Sequence, residues 1–216
     1  MSRYRKNFRL SHLLLAVAVA TTPPILYFIN QAQRGHPVDI HYFLAWFSPS
    51  NGSGGSDWKI GPPLVHFWDS YNTRSLSEVR AFALQLINRD RTLNGLGTLV
   101  EDPLLSQAAQ QHAEDMLKRQ YFDHISPEGH TPSDRYYAVG GNRALGVGEN
   151  IALDKQRFSY LNYQILEENQ KGWMYSNGHR ENILVPDYSR FGYGIVTDPV
   201  TERTYAVQEF AADLYR

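Results

Sequence analysis

The apolar residues of this chain change period, and that change restricts the fold more than any other feature. From Ser75 to Trp173 they recur mostly at helical spacing, and after Phe191 they alternate. Ser75-Leu76-Ser77-Glu78 reads as a capping box, followed by Val79, Phe82, Ala83, Leu86 and Ile87 on one helical face. Asn94-Gly95-Leu96-Gly97 breaks that helix. Asp102-Pro103 opens a second, as N-cap and first helical residue, whose apolar face takes Leu105, Ala108, Ala109, His112 and Met116. Thr131-Pro132 starts a short third helix ending at Gly140-Gly141, a fourth runs from near Tyr160 through Trp173, and Gly178-His179 begins one further turn or two. Phe191, Tyr193 and Ile195 then alternate with Gly192, Gly194 and Val196, and Tyr205 to Phe210 alternates likewise. The turn residues Asp198-Pro199-Val200-Thr201-Glu202 join the two runs into an antiparallel hairpin. Val147 to Leu153 supplies another strand. Helices around a small sheet predict an α+β domain, a three-layer α-β-α sandwich with a small, mostly antiparallel sheet.

Charge divides the chain differently. Arg3, Arg5, Lys6 and Arg9 form a basic patch, and no Asp, Glu, Lys or Arg follows until Arg34. Leu13 to Ala20 is wholly apolar, and Ile25 to Ile29 resumes the run after two prolines. Cleaved, this is a signal peptide with Ala18-Val19-Ala20 as its small-residue site. Uncleaved, Leu10 to Ile29 gives the roughly 20 residues a bilayer needs, so that the chain is held in the membrane by its N-terminal segment. The basic end stays cytoplasmic in both cases, which predicts an extracytoplasmic location for the rest. Residues 1–30 therefore read as signal anchor or signal peptide, 31–72 as an aromatic and Gly/Ser-rich tether, and 73–216 as the folded domain. Within the tether, Ile40 to Phe47 is too short to span a membrane, and it suits either an interfacial aromatic belt or packing on the domain. Ser48 to Ser56 has the composition of a flexible linker.

A net charge of −1 gives no reason to expect nucleic acid as a partner. The absence of cysteine excludes disulfides, cysteine nucleophiles and Cys-type zinc sites.

Three short segments concentrate polar residues among turn formers: Phe122-Asp123-His124-Ile125-Ser126-Pro127-Glu128-Gly129, Gly148-Glu149-Asn150-Ile151-Ala152, and Trp173 to Leu184 with Ser176 and His179. Loops of this composition position functional groups on a packed scaffold. Two imidazoles and a carboxylate that converged could bind a divalent metal such as zinc or carry out acid–base work. No His-Glu-x-x-His helix is present, and neither Ser126 nor Ser176 stands in a nucleophile elbow. His112, on an apolar helical face, reads as a satisfied core histidine.

In order along the chain, these segments resemble the CAP superfamily of cysteine-rich secretory, antigen 5 and pathogenesis-related proteins, in its cysteine-free bacterial form. Leu86-Ile87-Asn88-Arg89-Asp90-Arg91 and His112-Ala113-Glu114-Asp115-Met116 resemble the family's first two helices. The segments around His124, Glu149 and His179 resemble its cleft loops, and Phe191-Gly192-Tyr193-Gly194 and Val207-Gln208-Glu209-Phe210-Ala211 its last strands. The resemblance covers about residues 76 to 212. It implies an α-β-α sandwich with a cleft of two histidines and two acids, three of which fall on His124, Glu149 and His179. Ser176 occupies the place of the second acid, and Glu167 and Glu168 lie one to two turns upstream. The expectation is a ligand-binding cleft of His124, Glu149, His179 and Ser176, with His124 and His179 as candidate ligands of a divalent metal and no residue assigned to catalysis. An exported module that binds a lipid, peptide or glycan, and a metal-dependent hydrolase using the same cleft, are the two functions this implies.

Overall fold

The helix starts fall where the caps predict them. In the computed structural model, which describes residues 58–155 and 160–213, helix α1 spans Phe67–Ser70 and helix α2 spans Leu76–Leu93. The Ser75 hydroxyl accepts from the Glu78 N–H, and the Glu78 carboxylate accepts from the Ser75 N–H, the reciprocal pair of a capping box. Strand β1 (Val100–Glu101) leads into α3 (Pro103–Arg119), whose N-cap Asp102 accepts from Leu104 and Leu105. Helix α4 is Pro132–Ala138, strand β2 Leu145–Lys155, α5 Tyr163–Tyr175, α6 Asn177–Ile183, β3 Arg190–Thr197 and β4 Arg203–Asp213.

The sheet order is β1-β3-β4-β2. β1 runs parallel to β3, and the β3–β4 and β4–β2 pairs are antiparallel. Both faces are covered. On one, Ala109, Ala113 and Met116 of α3 pack on Ile151, Tyr205 and Val207, while Leu105 and Ala108 meet Leu145, Ala211 and Tyr136. On the other, Val79, Phe82, Leu86 and Ile87 of α2 and Ile165, Leu166 and Trp173 of α5 close over Phe191, Tyr193 and Phe210. Gly192 and Gly194 point at α3, where a Cβ would stand 2.3 Å from backbone carbons of Leu105 and Ala109. Their lack of a side chain lets the helix lie against the sheet. The result is the three-layer α-β-α sandwich with a mostly antiparallel sheet.

Residues 58–72, which composition places in the tether, dock on this domain. Trp58, Ile60 and Val65 pack against the α2–α5 core. The Gly61 N–H donates to Asp90 at 2.9 Å, the Leu64 N–H to Glu167 at 2.7 Å, and Asn94 pairs with both backbone groups of Lys59. A boundary at residue 73 would separate these groups from their partners. Composition does not reveal this, because the partners of Trp58, Ile60 and Val65 and of the backbone donors are distant in sequence. The span from Leu10 to Ile29 and the segments Ile40 to Phe47 and Ser48 to Ser56 lie outside the described residues. Among the described residues no helix is long and apolar enough to cross a membrane.

Candidate functional site

His124 is carried by the loop between α3 and α4, and that loop is fastened at several points. The buried His112 of α3 directs Nε2 to the Asp123 carbonyl at 3.0 Å. The Tyr121 hydroxyl donates to Asp115 of α3 at 2.7 Å, and Arg119 of α3 pairs with both Asp115 and Glu128. Arg135 of α4 donates from Nη1 to the carbonyls of His124 (2.9 Å) and His130 (3.1 Å). Exposed Phe122 and Ile125 stand on either side of the Asp123–His124 pair in sequence.

Glu149 comes from β2, with only 8% of its surface exposed. His124 Nδ1 lies 2.8 Å from Glu149 Oε1, and Arg135 Nη2 donates to Oε2 at 2.5 Å. A carboxylate only accepts, so His124 carries its proton on Nδ1. His124 Nε2 has no hydrogen bond to a described residue. The bond to Glu149 raises the His124 pKa above its ordinary value, against the opposing effect of partial burial.

His179 belongs to α6, and its Nδ1 lies 2.8 Å from the Ser176 hydroxyl. Ser176 is the N-cap of that helix, yet its side chain makes no capping bond and engages the imidazole instead. The Asn150 side chain, next to Glu149 in sequence, donates to the His179 carbonyl at 3.2 Å. Partial burial lowers the His179 pKa first, and the charge of His124 lowers it further. The two imidazoles therefore sense each other, and their environments push them in opposite directions.

The four sequence-read residues thus form two bonded pairs, His124 with Glu149 and His179 with Ser176. Glu167 points elsewhere, to Arg89 at 3.1 Å and the Leu64 N–H. Among the described residues no Ser-His-Glu triad is assembled: Ser176 meets His179, but Glu149 serves His124 instead, and Ser126 donates to Glu128. Each imidazole has Nδ1 held by a partner, which leaves Nε2 as the donor a metal would use. Both Glu149 oxygens are already engaged, and among the described residues no group of three or more His, Asp or Glu side chains is placed to hold a metal ion.

Sequence reasoning misses two residues here. Arg135 is readable only as an exposed residue early in a short helix, and nothing local marks it as the clamp on Glu149. Glu209 does leave a signal, a carboxylate inside the alternating run of β4. Its side chain is fully buried, and both oxygens lack a hydrogen-bond partner among the described residues.

The model of the CAP family, described as the cysteine-rich secretory protein family, matches residues 84–210. Two Bacillus subtilis proteins are similar in sequence. The uncharacterized protein YkwD is 36% identical over 122 residues, 56% of this chain and 44% of that protein. The uncharacterized membrane protein YlbC is 32% identical over 143 residues, 66% of this chain and 36% of that protein. The chain thus spans less than half the length of either relative. Among solved structures, an outer surface protein from Borrelia burgdorferi superposes with a TM-score of 0.55 at 17% identity, over 66% of this chain and 98% of that one. An extracellular SCP-domain protein from Bacillus anthracis gives 0.52 at 25% identity, over 71% and 45%. With the family model matched across His124, Glu149, His179 and the hairpin strands, this chain belongs to the CAP family.

Proposed function

We propose that the chain is an exported cell-envelope protein whose His124–Glu149 and His179–Ser176 pairs line a ligand-binding cleft. The observation that carries this is the His124–Glu149 bond. It fixes an imidazole whose side chain is 49% exposed, with Nε2 unspent. Such a ring is held in place to meet something from outside. Exposed Phe122 and Ile125 on the same loop, and exposed Tyr175 beside Ser176, add apolar surface. When the ring is charged, which the Glu149 bond favours, Nε2–H donates. A ligand with an acceptor group beside an apolar part therefore suits that lining, and a lipid, an acylated peptide or a glycan with an apolar face supplies both. Export is supported by the basic patch ahead of the uncharged run, and by relatives named as outer-surface, extracellular or membrane proteins.

The experiment is titration calorimetry of the purified chain with decanoate, a short acylated peptide and a peptidoglycan disaccharide-peptide, repeated with His124→Ala. Binding of one probe that weakens at least tenfold in the variant is the expected result. No binding by any probe, or binding indifferent to His124, rejects the cleft. For export, a reporter active only outside the cytoplasm and fused after Arg216 is expected to be active.

A metal-dependent hydrolase is the second reading, favoured by the two imidazoles with oriented Nδ1 atoms. His124 and His179 would hold the ion, which when bound would supply Lewis acidity and an activated water. Stoichiometric metal in elemental analysis of the purified chain supports that reading. A metal-free protein that still binds one of the probes supports the module.

A further inference from the structure

We infer that the docked segment beginning at Trp58 is a strap that positions His179, with Trp58 as its positioning residue. The segment reaches the Ser176–His179 pair by two routes. On the outside, the Trp58 ring meets Tyr175 edge-on at 5.3 Å, and the Arg180 guanidinium stacks over the same ring at 4.4 Å. Tyr175 immediately precedes Ser176, and Arg180 immediately follows His179. Arg180 further donates to the Met174 carbonyl and the Asn177 side chain, so one guanidinium ties the end of α5 to the start of α6 beneath the indole. A cation held against an aromatic face in this way restrains both partners.

On the inside, a line of buried polar side chains runs from the strap to the cleft. Asp90 accepts the Gly61 N–H at 2.9 Å and the Gln170 amide at 2.8 Å. Gln170 accepts from Gln208 at 2.8 Å, and Gln208 accepts from Asn150 at 3.3 Å. Asn150 donates also to the His179 carbonyl. None of the residues in this line is more than 1% exposed. Gln170 and Gln208 each accept on one side and donate on the other, toward the Asp90 carboxylate, so these bonds polarise one another, while Asn150 donates both to Gln208 and to the His179 carbonyl. The strap therefore grips both the surface and the interior of the wall that carries His179. The loop carrying His124 is fastened separately, through α3 and Arg135. Displacement of Trp58 therefore acts on the wall that carries His179.

The test uses the full chain and needs no ligand. Trp58→Ala is compared with the parent by amide hydrogen exchange, together with the NMR signals of the histidine rings. The expected result is exchange about tenfold faster in residues 176–183 and a shifted His179 signal, with residues 121–130 and the His124 signal unchanged. Trp58→Phe, which keeps a ring edge against Tyr175, restores both readouts. Leu145→Ala, in the third core cluster, shows what general destabilisation looks like. Unchanged exchange in 176–183, or a uniform acceleration matching that of Leu145→Ala, overturns the inference.

Discussion

Glu209 stands directly across the β2–β4 pair from Glu149, so two carboxyl groups project from one face of the sheet beneath α3. Like charges in that position repel, and the two groups resolve the conflict unequally. Glu149 has Arg135 and His124 against it. Glu209 has no hydrogen-bond partner among the described residues, and burial, then the Glu149 charge, hold its carboxyl well above the ordinary carboxylate range. In the folded protein burial and the Glu149 charge thus favour the neutral acid at Glu209.

That neutrality fixes a pH dependence. A carboxyl whose folded pKa is raised favours folding least when the unfolded chain has lost its proton. Stability therefore falls as pH rises above about 4.3, by about 1.4 kcal/mol per unit until the folded group ionises. Glu209→Gln removes this loss. Urea denaturation at pH 4.5 and pH 8 is expected to show little difference at the lower pH and a clear gain for the variant at the higher. Parallel pH profiles for the two proteins would mean that Glu209 is not held neutral.

Arg135 is the counter-charge at the other end of the same arrangement. It binds one carboxylate and two loop carbonyls with its two terminal nitrogens. Removing one partner of a buried ion pair costs about 3–5 kcal/mol because the other charge is stranded. Arg135→Leu is expected to lose on the order of 3 kcal/mol by denaturant unfolding and to broaden the His124 ring signals. Arg135→Lys, with a single ammonium, is expected to recover only part of the loss. Full recovery by lysine would show that charge alone matters there.

The elements are legible in the sequence to the extent that their signals are local. Ser75 with Glu78, and Asp102 with Pro103, announce helix starts within four residues, and the alternation around Gly192 and Gly194 announces a strand close to something. His124, Glu149 and His179 are legible through their motifs. The long-range pairing is not: that Glu149 holds His124 depends on β2 passing beside a loop 25 residues away in sequence, whereas Ser176 and His179 stand within one turn of α6. Arg135 and the docking of Trp58 stay hidden for the same reason, since each acquires its role only from a partner brought in by the fold.

The docked segment gives a prediction about domain limits. A fragment beginning at Trp58 retains the packing of Trp58, Ile60 and Val65 and the backbone donors to Asp90 and Glu167. One beginning at residue 73 loses all of these. Partial burial of three large apolar side chains is worth on the order of 3 kcal/mol, and the stranded acceptors add to that. The shorter fragment is expected to melt at least about 5 °C lower, on the usual scale for a domain of this size. Equal melting temperatures would show that the segment is dispensable.

The two imidazoles give the last prediction, because their shifts have opposite signs. His124 is raised by its bond to Glu149, whereas His179 is lowered by burial and by the His124 charge. The His124 pair stabilises the fold fully below about pH 6.5, the unperturbed value, and its contribution fades as pH rises through the raised folded value. His179 works the other way: its neutral form is the favoured one, so a cost appears as pH falls below about 6.5 and grows until the folded group takes its proton. Between these limits His124 is charged and His179 neutral. NMR titration of the ring carbons is expected to show the His124 midpoint above about 6.5 and the His179 midpoint below it. A divalent ion needs both nitrogens unprotonated, so weak Co2+ or Zn2+ binding is expected only on the alkaline side and should fade as His124 protonates, before a pH of about 6.5 is reached. His179→Ala is expected to abolish that binding while changing stability by less than about 1 kcal/mol, as for a partly exposed side chain outside the core. Metal binding that survives at a pH of about 6, below both thresholds, or in His179→Ala, would place the ion elsewhere.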